Sequence, residues 1–288
     1  MLPPYLTPST LRAFISSALA EDIGEGDHST RAAVPDRAEA EGRLLVKGDG
    51  ILAGAELAEY IFKQYDPGLR VQSFLKDGEE VSKGDAAFLV TGKARSILTT
   101  ERLVLNCMQR MSGIATYTRQ LCRLIEGTKA HLMDTRKTTP NFRLMEKWAV
   151  AIGGGSNHRI GLYDMVMLKD NHVDMAGGIQ PAISSTRQYL AQIGRKLRIE
   201  VETRTLEEVR QVLDAGGIDV IMLDNMATDD IRKAVEMIDG KCATEASGGI
   251  TESNLRAIAD CGVDYVSVGA LTHSAKSMDL SLKVRLAQ

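Results

Sequence analysis

Residues 197–270 read LRIEVETRTLEEVRQVLDAGGIDVIMLDNMATDDIRKAVEMIDGKCATEASGGITESNLRAIADCGVDYVSVGA. Four apolar runs stand in this stretch at roughly 22-residue spacing: Leu197–Val201, Val220–Leu223, Ala243–Ala246 and Tyr265–Val268. Helix-like segments separate them, at Leu206–Ala215, Asp229–Ile238 and Glu252–Ala259. A repeated strand–helix unit builds a parallel sheet with helices outside it. Working outward, the run YDMVML at Tyr163–Leu168 and the segment His131–Asp134 add two strands. That makes six, two short of the eight that close an α/β barrel.

In such a barrel the site is built at the carboxyl ends of the strands. Those ends carry Asp134-Thr135-Arg136-Lys137, Lys169-Asp170, Glu202, Asp224-Asn225, Ser247-Gly248-Gly249 and Gly269-Ala270. Three chemical groups emerge. The first is cationic and comes from residues 134–172, DTRKTTPNFRLMEKWAVAIGGGSNHRIGLYDMVMLKDNH. One lysine or arginine alone reads as surface charge. The set Arg136, Lys137, His158, Arg159 and Lys169 does not, because Lys169 directly follows an apolar run and His158–Arg159 follow glycines with no solubility role. A pocket for a multiply anionic small molecule is built this way. Between these cations the spacing predicts a helix, with Pro140 at its first position, an apolar face of Phe142, Met145, Trp148, Ala149 and Ile152, and a stop at Gly153–Gly155.

The second group is the carboxylate pair Glu202 and Asp224 on adjacent strands, oxygen donors of the kind Mg²⁺ takes alongside waters and substrate phosphates. Glu200 and Glu202 alternate on one strand, so one of them could instead pair with a barrel lysine. The third group is the glycine-rich loops Ser247-Gly248-Gly249 and Gly269-Ala270 after the last two strands, where such folds hold phosphate. Consecutive backbone N–H groups beside a helix start at Thr251 make an anion nest. Together the groups suit a phosphorylated sugar bound with a hard cation and facing a carboxylate-rich acceptor. His172 and His273 read as local hydrogen-bonding residues.

The 288 residues are 44% hydrophobic and 25% charged, as expected of a soluble globular chain. A net charge of −3 argues against bulk nucleic-acid or acidic-membrane binding, so the basic pocket must be local. Cys107, Cys122, Cys242 and Cys261 show neither CxxC pairing nor metal-ligand spacing. No basic end with an apolar core opens the chain and no apolar run reaches membrane-spanning length, so a cytoplasmic protein with reduced thiols is expected.

Ahead of the barrel, Leu11–Ala20 reads as an amphipathic helix, followed by the turn-like EDIGEGD in which Asp22, Asp27 and His28 cap and turn. Between Glu39 and Gly92 short β-like runs alternate with DG and KGD turns, resembling the sandwich of biotinyl- and lipoyl-carrier domains. A scaffold role is favoured over a carrier lysine at Lys76 or Lys83. Residues 97–126 form a long helix in which Gly113 implies a close packing contact or a bend. The expected domains are an N-terminal α/β sandwich over 1–112 and an open barrel over 113–272. A terminal helix within 273–288 packs back on the first domain.

The motifs DTRKTTP, GGGSNHRIGLYD and LKDNH, with TERLVLN and SGIAT upstream, resemble the signature of the quinolinate phosphoribosyltransferases. Asn141 departs from the glycine expected after that proline, a modest change in a turn. The resemblance implies an incomplete, TIM-like α/β barrel. It also implies phosphoribosyl pyrophosphate as donor and quinolinate, a pyridine-2,3-dicarboxylate, as acceptor, with decarboxylation to nicotinate mononucleotide in de novo NAD biosynthesis. Arg136, His158, Arg159 and Lys169 would neutralise the acceptor carboxylates, together with Arg102 from a neighbouring subunit of a dimer or dimer-based hexamer. Lys137 would face the pyrophosphate, Glu202 and Asp224 would hold Mg²⁺, and Lys137, Lys169, Glu202 and Asp224 would carry the chemistry. A paralogue associated with molybdenum transport shares the fold, but KDNH and EVET favour the quinolinate enzyme. A Schiff-base lyase using Lys169, its amine made reactive by Arg136, Arg159 and Lys137, is a second alternative. A non-catalytic carrier or phosphate-binding protein is the third.

Overall fold

The computed structural model describes residues 2–287. The chain begins with α1 (Pro8–Ile23), α2 (His28–Ala33), β1 (Glu39–Val46), β2 (Gly50–Ile51), α3 (Ala55–Tyr65), β3 (Arg70–Ser73), β4 (Glu80–Val81), β5 (Ala86–Lys93) and α4 (Ala94–Leu124). It continues through β6 (His131–Met133), α5 (Arg143–Gly153), β7 (Val166–Leu168), α6 (Asp170–Ala176), α7 (Ile179–Gln192), β8 (Ile199–Thr203) and α8 (Leu206–Ala215). The last elements are β9 (Val220–Asp224), α9 (Thr228–Ile238), β10 (Ala243–Ser247), α10 (Glu252–Ala259), β11 (Tyr265–Ser267), α11 (Ala270–His273) and β12 (Leu280–Leu286). These elements group into two compact units: Met1–Arg119 with Thr138–Gly154 and Leu271–Gln288, and Gln120–Lys137 with Gly155–Ala270.

The first unit is an α/β sandwich built on an antiparallel sheet of order β12-β1-β5-β3. Period-two patterning directs β1, where Ala40, Gly42, Leu44 and Val46 are buried and their neighbours are not. The amphipathic α3 buries Leu57, Ala58, Ile61 and Phe62, and the Phe62 ring meets Phe88 of β5 edge-on at 5.9 Å. This helix lies within the stretch whose DG and KGD turns pointed only to strands. Thr7 and Asp27 cap α1 and α2 by accepting from Thr10 N–H (3.2 Å) and Thr30 N–H (2.9 Å).

Two local expectations are corrected. Residues 280–286 form strand β12, not a terminal helix, in register with β1 from Ala40–Leu286 to Val46–Leu280. Leu280, Leu282, Val284 and Leu286 alternate with Ser281, Lys283 and Arg285, so the run has the strand period once the open edge of β1 is there to pair with it. Pro140 is not the first residue of a helix. It lies in a turn, and α5 starts three residues later at Arg143. Asn141 in that turn has φ 61°, a left-handed conformation that asparagine tolerates nearly as well as the glycine it stands for.

Gly113 sits inside α4 because a Cβ there would overlap the Lys276 carbonyl and the Ser277 backbone. Gly113→Ala would gain about 1 kcal/mol of helix propensity but strike immovable backbone, so a net loss of about 2 kcal/mol is expected. Calorimetry should show Tm lower by about 4–8 °C. An unchanged Tm would mean that the 276–277 segment yields at little cost.

In the second unit six parallel strands take the order β6-β11-β10-β9-β8-β7. The helices α8, α9 and α10 connect successive strands as the repeat implies, each amphipathic with its apolar face buried. The strands β6 and β7 end the sheet without pairing with each other, so the barrel stays open. Among the described residues no helix is long and apolar enough to cross a membrane.

Candidate active site

The pleat of the second unit puts one residue of every two on the inner face. Glu202 of β8 stands beside Met222 of β9, Met222 beside Glu245 of β10, and Asp224 beside Ser247. These side chains floor a cleft of about 610 Å³ at the carboxyl ends of the strands. Arg136 and Lys137 enter it from the end of β6, His158 and Arg159 from the loop that follows Gly155, and Lys169 from the end of β7. Gly248 and Gly249 close one side. Gly269 and Ala270 follow β11 but are not among the lining residues, whereas Asn225, Met167 and Ser267 are. Arg102 lies on α4, exposed, in the other unit.

Hydrogen bonds fix the loops that carry the cations. Buried Asp134 accepts from Asn157 Nδ2 (2.6 Å) and from the His158 amide (2.9 Å), joining the end of β6 to the His158 loop. Asp164 accepts from the Ile160 and Gly161 amides at 2.8 Å, which turns the chain back towards β7. Burial and the neighbouring Arg136 charge both lower the Arg159 pKa, against the pull of Glu200 and Asp164. Lys169 Nζ is 2.7 Å from Glu202 Oε2. A Schiff-base mechanism needs a free amine there, and the structure offers an ion pair. His172 accepts the Lys169 amide at 3.0 Å and His273 contacts Ser274 at 2.7 Å, both local roles.

Beneath the cleft lies a cluster to which the sequence assigned little. His158 Nε2 is 3.1 Å from Glu200 Oε2 and 3.4 Å from Glu245 Oε2, with the two glutamates 0% and 1% exposed. Burial alone would lower the imidazole pKa, but the two carboxylates outweigh it and push it up to about 9. A neutral ring can accept the Arg159 amide at Nδ1 (2.7 Å), and an imidazolium cannot. Charge decides between the two. One backbone hydrogen bond is worth about 1 kcal/mol, and a sealed carboxylate without a counter-ion costs several. The two carboxylates therefore favour the protonated ring. Its stabilisation is complete below 6.5 and is lost as pH rises through about 9. Burial pushes the Glu200 carboxyl up, against the pull of His158. The available sequence signal was glutamate in the runs IEVET and ATEAS, where buried strands rarely place an unpaired charge.

The phosphate-type loop has the expected backbone. Gly248 and Gly249 have φ of +87° and +61°, and a Cβ on Gly248 would run into the Asn225 side chain. Asn225 donates from its own amide to the Ser247 carbonyl (2.9 Å) and adopts φ 54°, so the two loops lock together. Successive left-handed residues point their N–H groups to one side, and α10 begins just beyond them.

Glu202 and Asp224 offer the donor set that Mg²⁺ takes: two carboxylates at adjacent strand ends, facing a cleft with room for water and phosphate oxygens. Lys169 occupies Glu202 Oε2 and Asn225 Nδ2 occupies Asp224 Oδ2 (2.9 Å), which leaves Glu202 Oε1 and Asp224 Oδ1 directed at no partner among the described residues. The residues fit the ion.

Residues 27–112 match the family model for the N-terminal domain of quinolinate phosphoribosyl transferase, and residues 114–283 match that for its C-terminal domain. A Nicotiana tabacum protein named quinolinate phosphoribosyltransferase (decarboxylating) 2b, mitochondrial, is 47% identical, the match covering 98% of this chain and 84% of that protein. An Arabidopsis thaliana nicotinate-nucleotide pyrophosphorylase (carboxylating), chloroplastic, is also 47% identical, over 98% of this chain and 85% of that protein. The crystal structure of NadC from Streptococcus pyogenes aligns with a TM-score of 0.91 at 39% identity, covering 98% of this chain and 99% of that one. Matched along both halves in sequence and superimposing on a solved structure, the chain belongs to the quinolinate phosphoribosyltransferase family.

Proposed function

We propose that the protein transfers phosphoribose from phosphoribosyl pyrophosphate to quinolinate, giving nicotinate mononucleotide, CO₂ and pyrophosphate, a step of de novo NAD biosynthesis. The observation that carries this reading is one cleft holding Arg136, Lys137, His158, Arg159 and Lys169 opposite Glu202, Asp224 and the Gly248–Gly249 nest. Cations, metal-type carboxylates and a phosphate cradle are all needed only when a dianionic acceptor meets a phosphorylated donor.

The residues then divide the work. Arg136, Arg159 and Lys169 pair with the acceptor carboxylates; arginine suits this because its fork matches a carboxylate bidentately. His158 adds charge from the floor. Lys137 faces the pyrophosphate, and the Gly248–Gly249 amides with the start of α10 take the sugar phosphate. Glu202 and Asp224 would hold Mg²⁺, which would draw charge from the leaving pyrophosphate. The pyridine nitrogen attacks the anomeric carbon as the bond to pyrophosphate breaks, and the leaving group keeps that electron pair. The quaternised nitrogen then stabilises the pair left on C2 when the 2-carboxylate departs as CO₂, and C2 takes a proton. No enzyme nucleophile is required, so catalysis is positioning and electrostatics.

We further propose a homodimer, or a dimer-based hexamer, in which Arg102 reaches the partner's acceptor site, and a cytoplasmic setting, which four free cysteines support. Incubation with quinolinate, phosphoribosyl pyrophosphate and Mg²⁺ should release CO₂ and nicotinate mononucleotide, and excess chelator should stop it. A folded protein that forms neither product would refute the assignment. Full activity in chelator would refute the role given to Glu202 and Asp224.

A further inference from the structure

We infer that Glu200 and Glu245 are positioning residues, a pair of buried carboxylates that clamps the His158 ring by Nε2 beneath the acceptor end of the cleft. The inference rests on the reading of that cleft as a dicarboxylate site.

The geometry is specific. The strands β8 and β10 flank β9; β8 contributes Glu200, below Glu202 on the same face, and β10 contributes Glu245. Both carboxylates are sealed from water, and both turn an oxygen to the same imidazole nitrogen, at 3.1 and 3.4 Å. Neither makes a conventional hydrogen bond that would fix it as ordinary core polarity. The charged groups around the ring are few. Glu200 faces it from β8, Glu245 from β10 and Arg159 from the next position. Asp134 at the end of β6 holds its backbone, and Arg136 and Asp164 act on it through Arg159. The two buried glutamates are thus set against the charges of His158 and Arg159.

That balance has a use. A cleft lined only by cations would repel itself when empty, and burial would drive its histidine to the neutral form. Carboxylates placed beneath the ring keep its positive charge available to the acceptor. Glutamate inside a β/α sheet is otherwise a costly choice, and two that converge on one nitrogen serve that nitrogen. The same three side chains could also ligate a metal ion, and the test separates that outcome.

The first measurement needs no variant of the glutamates. Imidazole ¹⁵N signals of the unliganded protein, with His158 identified by the signal lost in His158→Gln, should show His158 charged at pH 8. A ring that is neutral at pH 7 overturns the clamp, whether or not the protein turns over quinolinate. The second measurement is the pH dependence of KM for quinolinate. The unaltered protein should hold KM constant from pH 6 to pH 8. Glu245→Gln should remain near it at pH 6 but rise tenfold or more by pH 8, with kcat changing less. A Glu245→Gln protein that keeps both the flat profile and a charged His158 overturns the inference. So does about one equivalent of transition metal in the protein as isolated that is lost with Glu245. If no quinolinate is consumed at any pH, the functional reading fails while the ¹⁵N result still decides on the clamp.

Discussion

Nicotinate, offered in place of quinolinate with the same donor and Mg²⁺, is expected to lower kcat/KM by about 10⁴–10⁵. It is the smaller molecule and meets no steric obstacle in a cleft of about 610 Å³. Its handicap is one missing charge. Arg159 is already desolvated and sits against Arg136, and both gain when a second carboxylate comes between them. With a monocarboxylate the Arg159 charge stays desolvated against Arg136. Added salt should weaken quinolinate binding only moderately, since a recessed cluster is poorly screened. Initial rates for both acids under identical conditions decide the matter. A ratio within tenfold would show that the second carboxylate is not read, and the roles given to Arg136 and Arg159 would fall.

Arg102→Ala and Lys169→Ala should each cost about 10²–10³ in turnover, the usual loss when a buried partner of a carboxylate is removed. Mixed in equal amounts and allowed to exchange subunits, the two inactive proteins should recover about a quarter of the unaltered activity. Half of the dimers are then heterodimers, and each has one site with Lys169 from its own chain and Arg102 from the partner. The proposal depends on where Arg102 lies. It is exposed on α4, in the unit that does not hold the cleft. If exchange is demonstrated by mass and no activity returns, Arg102 acts within its own chain or not at all.

The parallel sheet was legible because its information is local. Each strand is buried on both faces and so reads as an apolar run, and each helix between strands announces itself by period. Strand-end chemistry followed from the same rule, which placed Arg136, Lys169, Glu202 and Asp224 in one cleft before any contact was known. What escaped depends on distant partners. The strand β12 looks helical until β1 is there to pair with it. Glu200 reads as a possible partner of a barrel lysine, and Glu245 shows no role, until β8 and β10 bring them to one imidazole. The excursion of residues 138–154 into the first unit also has no local signature, because Lys137 and Gly155 merely mark where the chain leaves the barrel and returns.

The pairing of β12 with β1 has a consequence for synthesis. Arg285 bonds Glu41 across 244 residues of sequence, so the first sheet to emerge from the ribosome is the last to be completed. Throughout translation of the barrel, β1 carries an unpaired edge with its ladder groups open, the situation that invites pairing between nascent chains. The half-buried Glu41 and exposed Arg43 on that strand keep the waiting edge charged. A premature stop that removes only the final dozen or so residues would spare every residue of the cleft and still leave that edge permanently bare. Such a truncation should aggregate rather than accumulate as an inactive fold, which makes the codons of β12 as intolerant of nonsense as those of the cleft.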